Sequence, residues 1–108
     1  MLRGEIWLIS FPGAQGGEIK KTRPAIIVSN DASNEFRNRV QVIPLTSNTD
    51  RILPDEVLIS STKLKSKALA SQITTASKER MVKKLGSVSQ KELHKIEWAI
   101  RVQLDLRS

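Results

Sequence analysis

The 108-residue chain contains no cysteine, which excludes disulfides, thiolate metal sites and cysteine nucleophiles. It has a single histidine, His94, so no imidazole cluster exists to hold zinc. Aromatic side chains are scarce: Trp7, Phe11, Phe36 and Trp98 are too few for a platform on which successive bases could stack. Long apolar runs are missing too. The longest, Ile6–Ile9 and Pro24–Val28, fall far short of the roughly 20 residues that a bilayer-spanning helix requires. Residues 1–10 also lack the charged head and apolar core of an export signal, so a cytoplasmic protein without membrane contact is expected. No phosphate-binding Gly-x-x-x-x-Gly-Lys loop or dinucleotide fingerprint occurs. The acids Glu5, Glu18, Asp31, Glu35, Asp50, Asp55 and Glu56 are scattered without the paired spacing of a metal or glycosidase site. Cofactor-free chemistry is the expectation.

What is present suffices for one packed domain spanning residues 1–108. Hydrophobic residues make up 39% and charged residues 27% of the chain, too apolar for a disordered tail. A domain of this length leaves apolar surface uncovered, and a dimer is one way to bury it. The net charge is +7, which favours a polyanion such as RNA or DNA as partner. Its distribution is uneven. Lys63–Lys84 holds seven basic residues against one acid, Glu79, and thus carries +6 of that total. Either this stretch tracks phosphates, or Lys63, Lys65 and Lys67 form a solvated edge that keeps a sheet from aggregating.

Glu5–Ser10 and Ala25–Ser29 are short, apolar and β-branched, and read as buried strands. Between them Phe11–Gly17 is a glycine loop, able to approach a ligand or simply to turn. Asn30-Asp31 caps a short helix through Phe36, and Val40–Leu45 returns to strand, with Pro44 marking an edge or a strand end. Glu56–Ile59 and Lys67–Thr75 read as the fourth and fifth strands. Five short strands suggest a barrel. Ser89-Gln90-Lys91-Glu92 is a capping box flanked by the staple pair Val88 and Leu93. In the helix it opens, Leu93, Ile96, Ile100 and Leu104 form one apolar stripe. Trp98 and Val102 fall roughly opposite, marking either a subunit contact or a helix tucked between two barrel segments.

His94 lies in the polar part of this helix with no nucleophile or carboxylate beside it, and reads as a surface residue. Two polar clusters stand at the ends of apolar strands: Lys20-Lys21-Thr22-Arg23-Pro24 entering the second, and Pro44-Leu45-Thr46-Ser47-Asn48 leaving the third. A guanidinium offers two parallel charge-assisted bonds to a phosphodiester and a threonine hydroxyl a further donor. The same residues are also ordinary turn formers, and the residues alone leave both readings open.

Arg3-Gly4-Glu5-Ile6-Trp7, Thr22-Arg23-Pro24-Ala25, Val28-Ser29-Asn30-Asp31, Val42-Ile43-Pro44-Leu45-Thr46-Ser47 and Ser71-Gln72-Ile73 follow one another in an order that resembles the MazF/PemK family of toxin endoribonucleases. Lys78-Glu79-Arg80, Leu85-Gly86 and the closing Leu104-Asp105-Leu106 extend the resemblance over nearly the whole chain. It implies a mainly β fold with short helices, a small SH3-like β-barrel of the MazF/PemK/CcdB type with a C-terminal helix, assembled as a homodimer. It also implies the toxin of a bacterial type II toxin–antitoxin pair, cutting single-stranded RNA without metal by attack of the ribose 2′-hydroxyl, to leave a 2′,3′-cyclic phosphate and a 5′-hydroxyl. The family's catalytic arginine maps onto Arg23 and its threonine onto Thr46, with Ser47 beside it. Lys21, Lys65, Lys67, Gln72 and Thr74 are the further expected RNA contacts. Two positions depart from the family pattern: Ser71 replaces a carboxylate that precedes the glutamine, and Thr74 a basic residue that commonly follows it.

The resemblance further implies a cognate antitoxin whose acidic C-terminal segment blocks the RNA groove, and operator DNA bound through the toxin–antitoxin complex. A gyrase poison of the CcdB type is disfavoured, because such toxins depend on a Trp-Gly-Ile ending and this chain closes on Leu104-Asp105-Leu106-Arg107-Ser108. The competing reading is a non-catalytic basic RNA- or DNA-binding barrel.

Overall fold

Hydrophobic alternation explains how the central strands are buried. In a strand, successive side chains point to opposite faces of the sheet. The run Ala25-Ile26-Ile27 therefore sends Ile26 to one face and Ala25 and Ile27 to the other, and all three are fully buried. In the computed structural model, which describes residues 1–11, 22–63 and 65–107, these faces belong to two core clusters. One gathers Ile6, Ile26, Ile43, Leu45, Val57, Ile59, Ala68, Ala70, Ile96 and Ala99. The other gathers Ile9, Ala25, Ile27, Val40, Val42 and Ala76, with Trp7, Phe11 and Met81 packed against it. The uninterrupted apolar run is what a two-sided strand requires.

Seven antiparallel strands build the fold: β1 (Glu5–Ser10), β2 (Thr22–Ile27), β3 (Arg39–Thr46), β4 (Glu56–Ile59), β5 (Ser66–Leu69), β6 (Thr74–Ser77) and β7 (Met81–Ser87). Their order is β4-β5-β3-β2-β1-β7, with β6 also paired to β3. Among the described residues the ladder does not close. The two ends approach each other through the segment after β4, where Thr62 Cγ2 lies 3.9 Å from the point a Cβ on Gly86 of β7 would occupy.

The helices follow their capping signals. In α1 (Asp31–Phe36) the side chain of the N-cap Asn30 accepts from the Ser33 N–H at 2.8 Å. In α2 (Gln90–Leu104) both hydrogen bonds of the Ser89/Glu92 box are made. Val88 and Leu93 meet around Gly4, each 3.7 Å from where its Cβ would stand, and Gly4 holds φ +93°, a conformation that favours glycine.

Four sequence expectations need correction. The fifth strand is two strands, β5 and β6, separated by a 3-10 turn over Ala70–Gln72. Strand β7 was not expected, because Met81-Val82-Lys83-Lys84-Leu85-Gly86-Ser87 is mostly exposed and its charges hide the alternation. Pro44 sits within the central strand rather than at an edge. It falls where β3 changes partner, after Val42↔Thr74 of β6 and before Leu45↔Ala68 of β5, so the donor that proline lacks is missing between two ladders. Finally, Ile96 and Ile100 of the expected α2 stripe face the core, joined by Glu92 and Ala99, but Leu104 does not and is 49% exposed.

Candidate active site

Strands β1 and β2 pair with Ile9 opposite Arg23, and β2 and β3 pair with Ala25 opposite Pro44. The β2–β3 pairing ends there, two residues short of Arg23 and Thr46, and Thr46 in turn pairs with Lys67 of β5. Arg23 and Thr46 line one groove of about 560 Å³. Its apolar lining is Ile6, Pro24, Leu45 and Leu85, and its polar lining is Arg23, Thr46, Ser47, Thr62, Lys63 and Ser66.

Arg23 and Thr46 are half-buried and Ser47 is exposed. Among the described residues the Arg23 guanidinium takes part in no hydrogen bond or ion pair, leaving its donors available to an anion. Thr46 Oγ1 accepts from the Asn48 N–H at 3.3 Å, so its own proton can point into the groove. Ser66 is 6% exposed, and among the described residues its Oγ has no hydrogen-bond partner. The lining combines an arginine and a threonine with the aliphatic Ile6, Leu45 and Leu85, a composition that suits an anion with apolar neighbours.

The remaining expected contacts lie elsewhere. Lys67 is tied down: its Nζ donates to Arg51 O at 2.6 Å and to Glu56 Oε1 at 2.8 Å, and this ion pair is nearly buried. The Lys67 ammonium and the Leu53 N–H hold the Glu56 carboxyl below its usual range, against the opposing effect of burial. Lys65 is exposed on the segment preceding β5 and Lys63 is at the groove. Gln72 closes the 3-10 turn beside α2 and Thr74 opens β6, both exposed and neither lining the groove. Lys21 and most of the glycine loop, residues 12–17, lie outside the described residues. Lys63 and Ser66 were missing from the expected site. Lys63 stood in the basic stretch that pointed to phosphates, whereas a buried serine has no sequence signal.

The +6 segment is thus divided. Lys84 is neutralised by Glu5 at 3.0 Å and Lys67 by Glu56, and β5 and β7 stand toward opposite ends of the sheet order. Glu5 Oε1 also accepts from the Leu2 N–H at 2.9 Å and from Trp7 Nε1 at 3.0 Å. Burial alone would raise this carboxyl, but these donors and Lys84 outweigh it and hold the pKa at about 2. On α2, His94 is exposed, as expected, and Trp98 and Val102 are 66% and 45% exposed, so neither is tucked between barrel segments. Among the described residues no three His, Cys, Asp or Glu side chains are grouped to hold a metal ion, and no helix is long and apolar enough to cross a membrane.

Residues 2–104 match the family described as PemK-like, MazF-like toxin of type II toxin–antitoxin system, and the chain belongs to that family. It is 38% identical over 117 residues to endoribonuclease MazF9 of Mycobacterium tuberculosis, covering 100% of this chain and 99% of that protein. It is 32% identical over 113 residues to endoribonuclease MazF of Staphylococcus saprophyticus, covering 100% and 94%. Among solved structures, an endoribonuclease in complex with its cognate antitoxin from a mycobacterial species superposes with a TM-score of 0.83 at 29% identity, covering 100% of this chain and 98% of that one. The fold is also that of a MazE–MazF complex from Deinococcus radiodurans, with a TM-score of 0.87 at 21% identity, covering 99% and 97%.

Proposed function

We propose that this chain is a metal-independent, sequence-specific endoribonuclease that cuts single-stranded mRNA and so inhibits translation and growth. The observation that carries this reading is that Arg23, whose guanidinium is unpaired among the described residues, lines one groove with Thr46. A phosphodiester seated there has the ribose 2′-hydroxyl oxygen attack the adjacent phosphorus. The P–O2′ bond forms and the P–O5′ bond breaks, leaving a 2′,3′-cyclic phosphate on one fragment and a 5′-hydroxyl on the other. One proton leaves the 2′-oxygen and one reaches the 5′-oxygen. Charge builds on the non-bridging oxygens in between, and Arg23 meets it with two parallel N–H donors while Thr46 adds a third. Guanidinium is very hard to deprotonate, so the part of Arg23 is mainly electrostatic, and any proton it hands to the leaving oxygen is regained from solvent.

Ser47 and Lys63 hold the flanking backbone, and Lys65 attracts the strand from outside the groove. Gln72 and Thr74 lie away from the groove of their own protomer, and in this reading they contact RNA beyond the scissile step. The protein works as a homodimer and is silenced by an antitoxin whose acidic segment occupies the groove; the complex of the pair binds operator DNA. The structural relative solved with its cognate antitoxin supports this partnership.

Incubating purified protein with single-stranded RNA in excess chelator tests the reading. Fragments with cyclic-phosphate ends are expected, and intact RNA would overturn it in favour of a passive basic barrel. Arg23→Ala should slow cleavage by about 100-fold or more with the fold retained, and an unchanged rate would remove Arg23 from the site.

A further inference from the structure

We infer that Glu92 is a positioning residue for RNA binding: it clamps the segment Ser60–Lys63 so that Lys63 meets a phosphate of the bound strand across the groove from Arg23. The inference rests on the endoribonuclease reading and adds residues outside the chemistry. A capping box needs only one contact from its glutamate, the acceptance of the N-cap N–H, here from Ser89 to Oε1 at 3.0 Å. Glu92 makes two more, both to residues some thirty positions away. Its Oε2 accepts from the Ser60 N–H at 2.8 Å, and its Oε1 from the Ser61 hydroxyl. The carboxylate is buried, at 8% exposure, and these donors keep it ionised below its usual range although burial opposes that.

The segment it grips is the one that supplies Thr62 and Lys63 to the groove. Beyond the clamp, Thr62 rests against Gly86 of β7, and Ser66 returns the chain to β5. Lys63 follows Ser61 by two residues, a reach of at most roughly 7 Å, so the backbone from which its side chain starts is held on its N-terminal side by the Ser60 and Ser61 contacts. Lysine is a point charge on a flexible stem. Fixing the stem's origin confines the ammonium to the groove's rim and reduces the ordering cost when a phosphate arrives.

Initial rates on a short fluorogenic RNA at about 50 mM salt test this in the full chain. Glu92→Gln keeps an acceptor for the cap, and Ser61→Ala loosens the clamp from the segment's side without touching α2. Each should raise KM about three- to tenfold with kcat unchanged. In a Lys63→Ala background both effects should disappear, because the two changes then act through one missing cation. Circular dichroism and thermal melting confirm that each variant is folded at the assay temperature. A wild-type KM in both variants, a loss confined to kcat, or KM effects that persist undiminished on top of Lys63→Ala would each overturn the inference. Failure of the wild-type chain to cut RNA would instead overturn the endoribonuclease reading.

Discussion

Replacing Glu5 by glutamine should cost stability in a way that depends on pH. The carboxylate ties the start of β1 to β7 through Lys84 and accepts from the Trp7 indole and the Leu2 N–H. Glutamine's carbonyl can still accept from Leu2 and Trp7, but toward Lys84 it replaces an anionic acceptor by a neutral amide. A carboxyl held at about 2 rather than 4.5 contributes at most roughly 3 kcal/mol at neutral pH, at ~1.4 kcal/mol for each pH unit of separation. Lys84 is 49% exposed, so solvent screening lowers the expected difference to about 2 kcal/mol. The sign follows from the depressed folded value. The unfolded chain binds the proton first as pH falls, so the contribution is complete above about pH 4.5 and fades between there and about 2. Urea denaturation of both proteins at pH 7, 5, 4 and 3 measures it. The gap should be full at pH 7 and 5 and shrink steadily below. A gap that stays constant from pH 7 to 3 would refute the placement of Glu5 among those three donors.

Ser66→Ala removes a buried hydroxyl that has no partner among the described residues, so its unmet desolvation cost of about 1 kcal/mol should be recovered. The melting midpoint should rise by about 4 °C or more, and a fall would show that the hydroxyl is bonded in solution. Lys67→Ala should lower stability by about 1–3 kcal/mol because it leaves the nearly buried Glu56 carboxylate without its cation. Lys65→Ala should leave denaturation midpoints unchanged and weaken RNA binding chiefly at low salt. Equal effects of the two changes on stability would remove the distinction between a structural and a solvated lysine.

The elements legible from sequence were those with strong local signals. The buried core Ala25–Ile27 of the expected strand Ala25–Ser29, the four residues of β4 and the Ser89-to-Glu92 box each carry their structure in adjacent residues, although β2 itself starts at Thr22 and ends at Ile27. What escaped was decided at a distance. Strand β7 is held by pairing to β1 with two register shifts, and its own residues alternate poorly. The break at Ala70–Gln72 answers to the change of partners along β3, which no property of those three residues announces. At the site, residue chemistry and family order singled out Arg23 and Thr46. The fates of Lys67 and Lys63 could not be separated in the same way: both belong to one basic stretch, and only the position of Glu56 determines which ammonium is engaged.

Arg23 and Thr46 stand on adjoining strands of a hydrogen-bonded ladder, with Ala25 and Pro44 locked together two residues away. The β2–β3 pairing closes there, and each residue is then carried by its other neighbour, Arg23 opposite Ile9 and Thr46 opposite Lys67. The two groups thus hang from three different pairings of one sheet, so a change in any of them moves one group relative to the other.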